Sequence, residues 1–308
     1  GKSFRGASVA ELVRHGDSEF VLFGEVDRSG GAVGVGVRNG KEGLEIRIGG
    51  ENATGAAALA EALPLQVIDP EVHNLVAGGP DLRRRFLDWI AFHVEPEHLG
   101  RWRRYRRVLK QRNAALREGT PQSTLKSWDT EFLAAGLALD ESRRQVQALS
   151  MGSLQEFGET LLQTALEFDY RSGWAADKGL ESALAESAER ERQQGATQVG
   201  PHRADIRIRY DERQARKLVS RGQQKLLASA MILAATETAQ TALEKPLLLL
   251  LDDPAAELDN ESVARLMGAV GALGCQVVAT TLVETALDFT VEPVVFHVEH
   301  GMISAAQQ

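Results

Sequence analysis

The chain has 308 residues, 43% hydrophobic and 25% charged, with a formal net charge of −8. This is the composition of a globular protein of one large or two ordinary domains, and it excludes a molecule that is polycationic throughout. A single cysteine, Cys275, excludes an intramolecular disulfide and a thiolate zinc site, as expected of a protein of the reducing cytoplasm.

No apolar run approaches the ~20 residues of a membrane span, and no signal peptide is visible, so no membrane is expected. Residues 1–75 read as short strands and turns. FVLFGEV (20–26), GAVGVGVR (31–38) and GLEIRIGG (43–50) alternate or run apolar with glycine, which predicts an antiparallel meander, and ALPLQVIDP (62–70) adds a strand ended by Pro70. Residues 76–199 change to helical periodicity. RWRRYRRVLKQRNAALRE (101–118) places Trp102, Tyr105, Leu109 and Leu116 near one face, and 153–168 and 178–194 read as further helices. Residues 200–308 return to alternating strands and helices: a strand over ADIRIRY, a helix over 220–239, strands at 247–251 and 276–281 about a helix over 260–273, and a last strand over 293–303. That order implies a parallel sheet with right-handed crossovers. The expected fold class is α/β, with the first and third stretches forming one discontinuous head and 76–199 an all-helical insertion.

Three stretches carry chemistry. In PLLLLLDD (246–253), five consecutive leucines suit a strand buried on both faces. Ligands of open α/β sheets sit at the carboxyl ends of strands, so Asp252 there can hold Mg²⁺ and Asp253 can orient an attacking water. As plain structure, the two are turn or cap residues. Asp259, six residues on, is a plausible N-cap of the next helix. SRGQQK (220–225) opens a helix with the spacing of a capping box, Ser220 to Gln223. Gly222 permits close backbone approach, the helix start attracts phosphate, and Arg221 and Lys225 add positive charge. An ordinary capped helix has the same pattern. Between Arg83 and Arg117 stand eleven Lys or Arg against three Asp or Glu, a local balance of +8 that leaves −16 for the rest. Such segregation makes a patch able to attract phosphates, with Arg103, Arg104, Arg107 and Lys110 as candidate DNA contacts. The arginines equally suit a solvated face paired with glutamate-rich helices, and Trp102 and Tyr105 suit the core better than base stacking. Arg203 of GPHR (200–203) reads either as turn chemistry or as a phosphate contact. No Ser/His/Asp arrangement or metal-spaced histidine pair is evident.

GKSFR (1–5), ELVRHG (11–16), GGPDLRRRFLDW (78–89), LKQRNAALR (109–117), GPHRADIRIR (200–209), SRGQQKLL (220–227) and LLLLDDPAAELD (248–259) together resemble the RecF family of bacterial recombination mediators, in the family's order across nearly the whole chain. The resemblance implies an ABC-ATPase-type head carrying a helical arm: 1–75 and 200–308 form the head, 76–199 the arm. It implies that Ser220, Arg221, Gly222 and Gln223 form the signature motif touching the ATP of a second subunit. Asp252 is then the Walker B Mg²⁺ carboxylate, Asp253 stands where related ATPases keep a catalytic acid, Asp259 belongs to the D-loop and Gln66 to the Q-loop. Thr281 lies near the switch position, where many such ATPases carry His. It implies ATP and Mg²⁺ as cofactors and an ATP-dependent homodimer. That dimer would clamp duplex DNA near single-strand gaps and junctions, support recombinase loading and SOS induction, and work with RecR and RecO.

Lys2 and Ser3 match a second GKSFR that follows the family's P-loop and helix, not the P-loop itself. No G-x-x-x-x-G-K-[ST] occurs in the sequence. The Walker A unit, roughly 30–50 residues of strand, loop and helix, is thus expected upstream of Gly1, and the chain as given is expected not to bind or hydrolyse ATP normally. The alternative is a non-enzymatic DNA- or partner-binding module derived from this family. A head of the Rad50 or condensation type would need far longer coiled coils than this insertion can supply.

Overall fold

The computed structural model describes residues 6–28, 30–210, 213–215, 219–282, 287–289 and 291–305. Lys2 and Ser3 lie outside the described residues. The chain forms two compact units, Gly1–Gln66 with Leu247–Leu249, and Val67–Pro246 with Leu250–Gln308.

The first unit begins with the short helix α1 (Val9–Leu12), followed by the meander β1 (Glu19–Arg28), β2 (Gly31–Gly40), β3 (Gly43–Ile48) and β4 (Glu51–Asn52). Neighbours pair antiparallel, Leu22 opposite Val37 and Val37 opposite Ile46, as the alternation predicts. Val35 and Ile46 supply buried side chains, whereas Val21, Leu22 and Phe23 of β1 are exposed. Helix α2 (Gly55–Ala62) leads into β5 (Leu65–Ile68), whose second half belongs to the second unit.

The second unit is built on long helices. After α3 (Asn74–Ala77) come α4 (Pro80–Val94), α5 (His98–Arg117) and α6 (Gln122–Leu162). Pro80 opens α4 at a position whose amide has no helical partner, so the ring costs nothing there. Tyr105, Val108, Phe132, Leu139, Leu180 and Leu184 form one core cluster, with Trp102 and Leu109 packed against it. The helix expected over 153–168 ends at Leu162, because Gln163 turns into the left-handed region at φ 56°. The strand β6 (Leu166–Arg171) follows, so the helical stretch also contributes a strand. Helix α7 (Leu180–Gln194), a 3₁₀ turn at Pro201–Arg203, β7 (Asp205–Tyr210) and β8 (Arg213–Gln214) come next. Contrary to the expected parallel arrangement, β7 pairs antiparallel with β6 and β8 in a sheet of its own.

Helix α8 (Arg221–Leu243) is apolar on every side and mostly buried, as a central core helix should be. It is the one helix among the described residues long and apolar enough to cross a membrane, and the protein itself covers most of it. Strand β9 (Leu248–Asp252), α9 (Asn260–Ala272) and β10 (Gln276–Thr280) form the predicted crossover, with sheet order β10-β9-β5. The amide after β9, at Asp253, donates to the carbonyl of Thr280 at the end of β10, so these two strands run parallel. The last strand expected over 293–303 is instead a hairpin, β11 (Phe296–Glu299) and β12 (Met302–Ala305). His300 and Gly301 both take positive φ, which closes the two-residue turn.

Most of the basic run is exposed, but two of its arginines are internal. Arg83 binds both carboxylate oxygens of Asp205, at 2.7 and 3.2 Å. Arg112 is buried against Asp129 at 2.8 Å, Glu191 at 2.7 Å and the Thr197 hydroxyl at 2.8 Å. Arg83 thus ties α4 to β7, and Arg112 ties α5 to acids of α6 and α7.

Candidate functional site

The carboxyl end of β9 is the chemical centre of the second unit. Alternate leucines of the strand, Leu249 and Leu251, are buried, and the run ends in Asp252, itself 7% exposed. A carboxylate at such a place requires polar partners. The Thr280 hydroxyl donates to Asp252 Oδ1 at 2.8 Å from the tip of the neighbouring strand. Asp69, just past β5, is half-buried, and burial together with the charge of Asp252 raises its pKa. Two carboxyl groups thus stand near each other at the ends of adjacent strands. Mg²⁺ is commonly held by one or two carboxylates plus water and phosphate, so the donor set fits a hard cation that brings further ligands with it. Among the described residues, no cluster of three metal-ligating side chains forms.

The loop after β9 is tightly determined. Asp253 has φ 47° and Glu257 φ 67°, both in the left-handed region that costs a non-glycine residue energy. The Asp253 amide donates to the carbonyl and hydroxyl oxygens of Thr280, each at 3.2 Å. From the other side Lys225 reaches into the loop, and its Nζ donates to the carbonyls of Asp253 at 3.3 Å and Ala256 at 2.7 Å. The sequence reading gave Lys225 a charge for phosphate. The structure corrects this: the side chain is 1% exposed and already committed to the loop, and burial lowers its pKa.

Helix α8 starts as its sequence predicts. The Gln223 amide donates to Ser220 Oγ at 3.3 Å and the Ser220 amide to Gln223 Oε1 at 2.9 Å, a complete capping box. Ser220 and Arg221 are exposed at this end, and Arg221 pairs with Glu257 at 3.0 Å. Gly222 lies under the same loop; a Cβ there would stand 3.1 Å from the Glu257 carbonyl oxygen. Asp259 caps α9 by accepting from the Ser262 amide at 2.8 Å and the Ser262 hydroxyl at 3.1 Å, and these bonds lower its pKa. Within one unit the fold therefore brings together Ser220, Arg221, Gly222 and Gln223 with Asp252, Asp253 and Asp259. Gln66 lies half-buried in the first half of β5.

Thr280, Asp69 and the loop-clamping role of Lys225 are absent from the sequence reading, which places Thr281 near the switch position. Strand register is the missing signal: Thr280 ends β10 and its hydroxyl meets Asp252.

On α5, Arg103, Arg107, Lys110 and Arg117 are exposed at spacings of four, three and seven, along one face of the helix. Arg104 is exposed too but pairs with Glu131 at 2.7 Å. Arg106 lies over the Trp102 ring at 4.7 Å, and Tyr105 is buried, with its hydroxyl 2.7 Å from His202 Nδ1. Both aromatic rings are therefore held by the protein itself.

Comparison with known proteins gives the family and the fold. The family described as RecF/RecN/SMC N terminal domain matches residues 1–304. DNA replication and repair protein RecF of Thioalkalivibrio sulfidiphilus is 39% identical over 98% of this chain and 86% of its own length. The chain belongs to the RecF family. RecF of Pseudomonas syringae pv. syringae is 38% identical over 98% of the chain and 85% of its own length. Among solved structures, the recombination mediator RecF–ATP of the RecFOR pathway superposes with a TM-score of 0.85 at 22% identity, covering 99% of this chain and 84% of that one. A second RecF structure, RecF-ATPrS, gives 0.84 at 20% identity, over 99% and 85%. At such identity these two establish the fold.

Proposed function

We propose for this chain a role in ATP-dependent DNA binding in recombinational repair and replication. The observation that carries this reading is the convergence on one loop of a buried strand-end carboxylate, Asp252, and a capped helix start, Ser220–Gln223. In this reading Asp252 holds Mg²⁺ and Asp253 orients water, while Ser220, Arg221, Gly222, Gln223 and Asp259 face the nucleotide of a second copy, with Gln66 as Q-loop. Bound ATP·Mg²⁺ supplies the phosphates that join two copies. This chain's own residues shape the anion-attracting helix end and fix the loop that carries Asp253. Closure of the dimer would clamp duplex DNA near single-strand gaps. RecR, and RecO through it, are the expected partners, and recombinase loading and SOS induction the expected outcome.

The 308 residues contain no P-loop motif, so they are expected to show no ATP turnover of their own; turnover abolished by Asp252→Asn would overturn that point. The same sequence fact favours a second reading, a DNA- or partner-binding module without catalysis.

The DNA-binding part is tested by the salt dependence of duplex affinity. Replacing Arg103, Arg107 and Lys110 together by Gln should lower the slope of log K against log salt by up to about 3, on the order of one unit per phosphate contact. An unchanged slope would remove α5 from the DNA interface.

A further inference from the structure

A second basic feature is lined by no residue of α5 or of the β9 loop, although Tyr105 of α5 supports it from inside. Residues Arg171, Gly173, Trp174, Arg203, Asp205 and Arg207 line a cleft of about 440 Å³. Its walls are the end of β6, the segment after it, the Pro201–Arg203 turn and β7. The turn is rigidly built. Arg143 donates to the Pro201 carbonyl at 2.7 Å and Arg84 to the Ala204 carbonyl at 2.8 Å. His202 Nε2 bonds the Thr197 carbonyl at 3.0 Å, and its Nδ1 meets the Tyr105 hydroxyl at 2.7 Å. Gly173 takes φ 92°, and a Cβ there would run into the Gly200 carbonyl oxygen. With its neighbours tied inward, Arg203 is left at the rim.

The charges of the cleft do not cancel. Asp205 is already held at both oxygens by the buried Arg83. Arg171 pairs with Asp169. Arg207 is exposed and has no ion-pair partner among the described residues, and Arg203 has only a long 3.3 Å contact to the Gln198 amide oxygen. Two guanidinium groups thus stand free beside a half-buried indole, Trp174, that packs against the core cluster. Guanidinium forks match phosphate oxygens in geometry and charge, and an indole face takes a base by stacking.

We propose that this cleft binds one nucleotide unit, its phosphate on Arg203 and Arg207 and its base against Trp174. The volume suits a single nucleotide. The ligand is either a nucleotide of a single-stranded DNA end or a free nucleoside monophosphate, which share this chemistry. Its lining shares no residue with the ATP and α5 surfaces proposed above.

The test is binding of a fluorescent oligothymidylate and of free dTMP to the wild-type chain, to Arg203→Gln/Arg207→Gln, and to the α5 variant Arg103→Gln/Arg107→Gln/Lys110→Gln. The cleft variant should lose about 10-fold or more in oligothymidylate affinity with an unchanged unfolding temperature, since both side chains are exposed. Trp174→Leu should lose about 5-fold or more, from stacking of ~1–3 kcal/mol per base. The α5 variant should keep dTMP-competable binding, so failure of the cleft and failure of the α5 reading give different patterns. Competition by dTMP assigns the cleft to the nucleotide unit from either source, and binding of the oligomer without dTMP competition assigns it to a strand. Equal oligothymidylate affinity of wild type and cleft variant would overturn the proposal. So would polyglutamate binding as tightly as the oligonucleotide and lost in the same variant, which would make the cleft an acidic-peptide site.

Discussion

His202 makes the Pro201–Arg203 turn sensitive to acid. Its Nε2 meets a carbonyl oxygen and must carry the proton, so Nδ1 accepts from the Tyr105 hydroxyl. A second proton, on Nδ1, would face that donor and would be buried as well. Burial is the leading cause that pushes the His202 pKa down from 6.5 to about 4. The folded protein therefore keeps His202 neutral where the unfolded chain takes up a proton. Stability is undiminished above pH ~6.5 and falls as the pH drops from there to about 4. With 1.36 kcal/mol per unit, the loss is about 2 kcal/mol at pH 5 and about 3 kcal/mol once both states are protonated. His202→Gln keeps a donor and an acceptor and does not titrate. Urea unfolding at pH 7 and pH 5 should show the variant losing about 2 kcal/mol less than wild type between the two. His93, buried and also lowered to about 4, adds a similar acid loss that this variant keeps. Equal pH dependence of variant and wild type would refute the assignment of a neutral, doubly bonded His202.

Lys225→Met should destabilise the protein by about 2 kcal/mol in chemical denaturation. The half-buried carbonyls of Asp253 and Ala256 lose their donor, which outweighs relief from burying an ammonium group. Arg112→Leu should cost about 3–5 kcal/mol by the same assay, because it leaves Glu191, 0% exposed, and Asp129 without their shared counter-charge.

Where local rules decide conformation, the sequence was legible. The Ser220–Gln223 capping box, the Asp259 cap, the meander and the β9–α9–β10 crossover all rest on spacings of three, two or a buried apolar run. Non-local pairing was not legible. LEFDYR alternates as a strand should, but it follows a helical run, and only its partner β7 settles it as β6. The hairpin at His300–Gly301 was hidden in a stretch that reads as one strand, although His-Gly at its centre was the available clue. Charge was legible in part. Most of the eleven cations are exposed, yet Arg83 and Arg112 point into the protein toward acids distant in sequence. The clamp of Lys225 on the β9 loop was illegible because its partners are backbone carbonyls, which leave no trace in residue identity.

Helix α6 runs unbroken for 41 residues, about 60 Å at 1.5 Å per residue. It packs against α5 on one side and α8 on another, and touches α9. The helix bearing the exposed arginines and the helix that begins at Ser220 are thus bolted to the same rod. Neither can swing independently without breaking its seam with α6. For a stiff helix of this length, a tilt of only 5° about one end would carry the other through about 5 Å. As a beam, α6 would couple the two helices seated on it.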